Sequence, residues 1–315
     1  MSAILIIKLG ALGDFVQATG PFAAIRRHHA SDRLTLLTTP SYVTFARALG
    51  LFDDIWQDGR PKSLAQQIAL ILHLRGARFS RIYDLQTSDR SSFLHAALWP
   101  WHPEWSGVAR GASHPHVNPR RDFMHTLERQ AEQLRAAGIK YQAAAPDLAL
   151  FASQASARLA QFDLPAKFTL IVPGGSLHRP GKRWPADRYA AIAQQLVASE
   201  QNPVVLGGPA ESEIVQSILR AAPGTRSLVG QTEFLDILAL GRAAFAAIGN
   251  DTGPMHLIAA AGAPTLVLFG SESDPDLCAP RGGNVRILHV ANLCDLPVEP
   301  VAANLATPSR PNPLN

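Results

Sequence analysis

At 315 residues the chain is long enough for two domains of ordinary size or one large one. Hydrophobic residues make up 47% and charged residues 17%, which excludes a disordered chain. A formal charge of +4 and a pI of about 9.3 favour an anionic partner. No dense Lys/Arg run with interleaved aromatics is present, which argues against nucleic acid.

The start, MSAILIIKLG, lacks a basic n-region and a small-residue cleavage site, so it reads as a first strand rather than a signal peptide. No apolar run approaches the ~18 to 20 residues that span a bilayer. Cys278 and Cys294 stand apart, with no Cys-x-x-Cys or Cys/His pairing. Neither a zinc site nor a disulfide framework is expected, and two scattered thiols fit a reducing compartment. The expectation is a soluble cytoplasmic protein with no metal and no cofactor.

In chain order, Ala3 to Leu9 is a continuous apolar strand that ends in Gly10-Ala11-Leu12-Gly13-Asp14, followed by a helix from about Phe15 to His29. Strands at Leu34 to Thr38 and Arg81 to Leu85 follow, with a helix at Ser63 to Arg75 between them. Phe168 to Val172 is a second such strand, ending in Pro173-Gly174-Gly175-Ser176. After it come a helix at Asp187 to Ser199, a strand at Pro203 to Leu206, and helices at Glu211 to Ala221 and Glu233 to Arg242. A short apolar segment (Phe245 to Ile248), a polar turn, an apolar helix and a strand at Thr265 to Phe269 complete the second half. Continuous apolar strands alternating with helices predict α/β halves, each a doubly wound parallel sheet covered on both faces. The polar, Ala-rich stretch from Ala143 to Lys167 is the natural boundary. The predicted division is 1–155, 156–298 and a tail, 299–315, holding a short helix (Pro300 to Leu305) and packing back on the first domain.

Ligands bind at the carboxyl ends of parallel strands, so the Gly-rich turns carry the candidates. Gly249-Asn250-Asp251-Thr252-Gly253-Pro254-Met255-His256 joins a strand to a helix. Pro254 suits a first helical turn, and Asp251 and Thr252 suit positions just before one. Such a start presents free N–H groups and a positive dipole end to a phosphate, although an ordinary capped helix fits equally. KLGALGD is not the dinucleotide fingerprint, and Asp14 reads either as a helix-stabilising acid or as a general base. In PGGSLHRPGKRWP five residues separate Gly175 from Gly181-Lys182 where a P-loop has four, and Arg183 follows, so that reading fails. Gly174, Gly175 and Ser176 with His178, Arg179, Lys182 and Arg183 still form the parts of a diphosphate site. Glu211, after Gly207-Gly208-Pro209, reads as a ribose acceptor or as a first-turn acid. Trp99 to His125 is a long, irregular, basic and aromatic segment. It suits an anionic acceptor, an anionic membrane surface, or a plain surface loop. Its histidine spacing fits no zinc motif.

Together ILIIKLGALGD, PGGSLHRPGKRWPADRYAAIA, LGGPAESE and GNDTGPMHLIAAAGAPTLVLFGSESDP resemble glycosyltransferase family 9, the ADP-heptose:lipopolysaccharide heptosyltransferases. The resemblance covers nearly the whole chain and is weakest between about Ile55 and Leu150. It implies two Rossmann-like domains of the GT-B type facing a cleft, with the nucleotide sugar on the second. It implies Asp14 as catalytic base and Lys182 at the diphosphate. It implies Gly174, Gly175, Ser176, Glu211, Thr232, Asp251, Thr252, Gly253 and His256 as nucleotide-sugar contacts, and Gly13, Arg110, Arg120 and Arg121 as acceptor contacts. The partners it implies are an ADP-sugar and an anionic lipid-linked saccharide, with peripheral contact at the cytoplasmic face of the inner membrane. The implied reaction is inverting and metal-independent. A nucleotide-sugar 2-epimerase, or transfer from another nucleotide sugar, is the alternative. The first loop here has Gly10-Ala11-Leu12 where several family members carry hydroxyl residues, so a contact to donor or acceptor is missing or made by backbone. SLHRPGKRWP also differs from the Thr-rich version of some heptosyltransferases, which leaves the donor less defined than the family.

Overall fold

The computed structural model describes residues 1–58, 63–101, 103–176 and 178–306. The chain divides into two compact units, Met1–Ala144 and Ala145–Asn315.

The first unit holds one six-stranded sheet: β1 (Ala3–Ile7), β2 (Arg33–Thr38), β3 (Asp54–Gln57), β4 (Arg81–Asp84), β5 (Glu104–Gly107) and β6 (His114–Pro115). The order is β3-β2-β1-β4-β5-β6, with every pairing parallel. β1 is central, with Ile4 opposite Leu34 on one side and Arg81 on the other. Its side chains are buried on both faces, which is why AILII is continuously apolar rather than alternating.

The second unit repeats the plan with β7 (Thr169–Val172), β8 (Pro203–Val205), β9 (Arg226–Ser227), β10 (Ala246–Asn250), β11 (Thr265–Phe269) and β12 (Val285–His289). Its order, β12-β11-β10-β7-β8-β9, is the first unit's order read from the other edge. Each unit therefore has the 3-2-1-4-5-6 arrangement of a Rossmann-like doubly wound sheet. The strand order reverses between β1 and β4 in the first unit and between β7 and β10 in the second.

Several elements differ from expectation. The helix expected from Phe15 begins at Leu12 and breaks after Gln17, and a new helix runs Thr19–His28. Pro21 has no N–H and suits the first turn of this second helix, so the break falls just before it. Trp99 to His125 is not one irregular loop. It contributes β5 and β6, and Trp105 is fully buried in the sheet's core. The unit boundary falls at 144/145 rather than 155/156, because Ala149–Gln154 packs on the helix Phe234–Ala243 and Leu148 N–H donates to Ala260 O at 2.8 Å. The expected tail also divides. Helix Val298–Ala306 buries Val301 in the second unit's own core, and 307–315 lie outside the described residues.

Candidate functional site

In the first unit the site lies where β1 and β4 end. Gly10 adopts φ +125°, a conformation L side chains rarely take, and a Cβ there would meet the Tyr42 hydroxyl at 2.9 Å. This turn leads into the helix Leu12–Gln17, which carries Asp14 in its first turn with Gly13 beside it. Leu9 N–H donates to Gln86 Oε1 at 2.8 Å, and the buried Lys8 donates from Nζ to Leu85 O at 3.1 Å. The ends of β1 and β4 are thus laced together.

A cavity of about 60 Å³ opens here, lined by Lys8, Asp14, Thr87, Arg121, Arg129 and Gln133 among others. Arg121 donates to Thr87 Oγ1 at 2.7 Å and to His116 Nδ1 at 3.1 Å, and Arg129 donates to Thr126 Oγ1 at 2.9 Å. Burial pushes the Lys8 ammonium below its ordinary range, against the pull of Asp14 and Asp84. Asp84 is wholly buried behind the cavity, and burial raises its carboxyl to about 6 although Gln86 and Thr87 N–H groups donate to it. Three cationic side chains and one lining carboxylate suit an anionic ligand with a carboxylate beside it.

Of the acceptor candidates, the structure brings Gly13 and Arg121 to this place. Arg110 and Arg120 are exposed on loops and do not line the cavity. Lys8, Arg129, Thr87 and Gln133 are not singled out by sequence. Lys8 hides at the end of an apolar run, and Arg129 and Gln133 lie on a helix (Thr126–Ala136) whose inward face only packing reveals.

In the second unit the site lies at the ends of β7 and β10. Asn250, the last residue of β10, is fully buried and uses its whole amide. Its Nδ2 donates to Pro173 O and Gly174 O, both at 2.9 Å, while its Oδ1 accepts from Trp184 N–H at 3.1 Å and the Tyr189 hydroxyl at 2.8 Å. One side chain therefore fixes the Gly174 turn, the Lys182–Trp184 segment and the start of the Asp251 turn.

Asp251 follows. Its Oδ2 accepts from Lys182 Nζ at 2.7 Å and from the Ser273 hydroxyl, and its Oδ1 lies 3.8 Å from His256 Nε2. Burial opposes its charge, but hydrogen bonds from His256, Lys182 and Ser273 outweigh burial and hold it well below the usual carboxylate range. Thr252 starts the helix Gly253–Ala260, with Pro254 in its first turn, and its buried hydroxyl has no hydrogen-bond partner among the described residues. The free N–H groups of that start face a phosphate-sized ligand readily.

Glu211 Oε2 accepts from Gly208 N–H at 2.8 Å, as a helix-start acid does. The same side chain lies against the turn after β7, where a Cβ on Gly174 would meet its Cγ at 3.0 Å. Arg183 donates to Gly175 O at 2.6 Å. The structure thus gathers Gly174, Gly175, Glu211, Lys182, Asp251, Thr252, Gly253 and His256 at one switch point. Ser176, His178 and Arg179 are exposed near it, and Thr232 precedes the helix Phe234–Ala243. Asn250 and Ser273 are the residues sequence does not assign. Among the described residues no three His, Cys, Asp or Glu side chains group as a metal site, and no helix is long and apolar enough to cross a membrane.

Comparison with known proteins gives the family and the fold. The model of glycosyltransferase family 9 (heptosyltransferase) matches residues 67–299, well over half of the chain. Lipopolysaccharide heptosyltransferase 2 of Salmonella typhimurium is 31% identical over 152 residues, 46% of this chain but only 43% of that protein's length. Lipopolysaccharide heptosyltransferase 2 of Escherichia coli is 28% identical over 234 residues, 69% of this chain and 67% of that protein. The solved structure of E. coli ADP-heptose lps heptosyltransferase II shares the fold, with a TM-score of 0.80 at 22% identity over 96% of this chain and 97% of that one. With the two Rossmann-like units and the gathered motifs, the match over residues 67–299 makes this chain a member of glycosyltransferase family 9, the heptosyltransferase family.

Proposed function

We propose that the protein is an inverting, metal-independent glycosyltransferase that moves heptose from an ADP-sugar to a hydroxyl of a lipopolysaccharide core acceptor, working on the cytoplasmic side of the inner membrane. The observation that carries this reading is the Lys182–Asp251 pair set at the carboxyl ends of β7 and β10, beside the open helix start at Thr252 and the Gly174–Gly175 turn. The names of the Salmonella and E. coli relatives supply the heptosyl group and the lipopolysaccharide acceptor. The name of the solved E. coli structure supplies the ADP-sugar.

The chemistry then divides between the units. Asp14 takes the proton from the acceptor hydroxyl, whose oxygen attacks the anomeric carbon on the face opposite the nucleoside diphosphate. As that bond breaks, negative charge grows on the departing diphosphate. Lys182 and the N–H groups of Thr252 and Gly253 stabilise it, and such preorganised donors are worth about 3 to 4 kcal/mol each. Glu211 receives the ribose hydroxyls. Lys8, Arg121 and Arg129 attract an anionic acceptor toward Asp14.

Calorimetric titration with ADP, UDP, GDP and dTDP, each with and without EDTA, tests the reading. ADP alone binds tightly and is insensitive to EDTA. A preference for UDP or dTDP overturns the heptose donor, and a requirement for a divalent ion overturns the role of Lys182.

A further inference from the structure

The helix Leu64–Gly76 packs Leu70, Ile71 and Leu74 on the sheet's core and turns its other large apolar residues outward. Only Leu74 on it is buried, whereas Leu64, Ile68 and Leu72 are 71%, 46% and 59% exposed. Spaced by four, these three share one face. The next helix, Asp89–Ala97, adds Phe93, 53% exposed, and the segment after it adds Trp99 and Trp101, 68% and 80% exposed.

These residues belong to one surface. Arg75 donates from Nη2 to Ala97 O at 2.7 Å and to Trp99 O at 2.8 Å, tying the first helix to the tryptophan segment. A slot of about 170 Å³, lined by Leu70 from one helix and Phe93 and Leu94 from the other, runs between them. Six large apolar side chains left exposed on neighbouring segments mark a place of contact with a partner or a membrane.

Charge selects the partner. From Ser63 to Ile82 the sequence holds Arg75, Arg78 and Arg81 and no Asp or Glu. Arg81 is balanced by Glu104 and Arg90 by the buried Asp58, while Arg75 and Arg78 are exposed and make no ion pair among the described residues. Aliphatic side chains that insert, tryptophans that sit at headgroup level and uncompensated arginines together match an anionic bilayer. A second copy fits less well, because two-fold pairing would set Arg75 and Arg78 near their own symmetry mates.

We propose that this face of the first unit docks on an anionic lipid bilayer through Leu64, Ile68, Leu72, Phe93, Trp99 and Trp101, with Arg75 and Arg78 meeting lipid phosphates. The contact does not depend on which sugar the protein transfers.

The test is co-sedimentation of the full chain with vesicles of equal parts phosphatidylcholine and phosphatidylglycerol, against phosphatidylcholine alone. Binding to the mixed vesicles should exceed binding to the neutral ones about tenfold or more. Tryptophan emission should shift to the blue on binding, and Trp99→Ala/Trp101→Ala should remove most of that shift. Ile68→Asp/Leu72→Asp should weaken vesicle binding about tenfold with far-UV circular dichroism unchanged. Equal binding to both vesicles, or undiminished binding by the Asp pair, overturns the proposal. So does a wild-type dimer in sedimentation equilibrium that the Asp pair abolishes, since the face is then a self-association surface.

Discussion

Lys182 donates to Asp251 across 2.7 Å, and both side chains are largely buried, at 13% and 8% exposure. The lysine proposed to meet a diphosphate is thus aimed by a carboxylate that Ser273 and His256 also hold. Lys182→Ala should lower turnover by roughly 10²- to 10³-fold, the usual effect of losing one such donor. It also strands Asp251, so the melting temperature should fall. Asp251→Asn should reduce turnover with a smaller loss of stability. Steady-state kinetics and thermal melts on both variants check this, and undiminished turnover in Lys182→Ala would remove its role.

Asp84 and Asp251 predict opposite responses to pH. Asp84 has its carboxyl raised to about 6, so the native state holds a proton that the unfolded chain releases from about 4 upward. Its stability contribution falls as pH rises from about 4 to 6 and stays low above that, a cost of about 3 kcal/mol at neutral pH. Asp251 is depressed, so its contribution is present above the ordinary carboxylate range and is lost only as pH falls below it. Urea unfolding between pH 4.5 and 7.5 should show the stability of the wild type falling toward neutrality relative to Asp84→Asn, since the other titrating groups are common to both. An identical slope in that variant would contradict the assignment.

Asn250→Asp tests the clamp between the turns. An aspartate cannot donate to Pro173 O and Gly174 O, and it buries a charge facing two carbonyls. The change should cost on the order of 3 kcal/mol in stability and weaken ADP binding more than tenfold. Calorimetry and denaturant melts read both, and unaltered ADP affinity in a folded variant would limit Asn250 to a core role.

Arg121 bridges Thr87 and His116 at the edge of the cavity that holds Asp14. Arg121→Met should raise the acceptor KM about tenfold or more, since charge-assisted contacts are worth roughly 1.5 to 3 kcal/mol. ADP affinity should stay unchanged, and the salt dependence of kcat/KM should flatten. Equal effects on donor and acceptor would argue against an acceptor role.

The sequence reveals the central strands because β1, β7, β10 and β11 are buried on both faces and therefore continuously apolar. It conceals β3, β6 and β9, which have four, two and two residues at or near sheet edges and carry no such run. The turn residues Asp14, Lys182 and Asp251 stand out because glycine and proline punctuate their loops. Arg110 and Arg120 share Arg121's charge and neighbourhood in sequence, but only Arg121 points to the cavity, and that direction is set by packing. Asn250 stays hidden because its four bonds go to residues more than sixty positions away.

The fully occupied amide of Asn250 means that the Gly174 and Asp251 turns are held in place by the protein's own bonds. A ligand arriving there has little backbone left to order, so its binding is spared most of the entropic cost that shaping a loose loop would impose. On the proposed function, discrimination among nucleotides at this end of β10 would work by fit to a rigid socket, refusing an ill-fitting diphosphate rather than accommodating it.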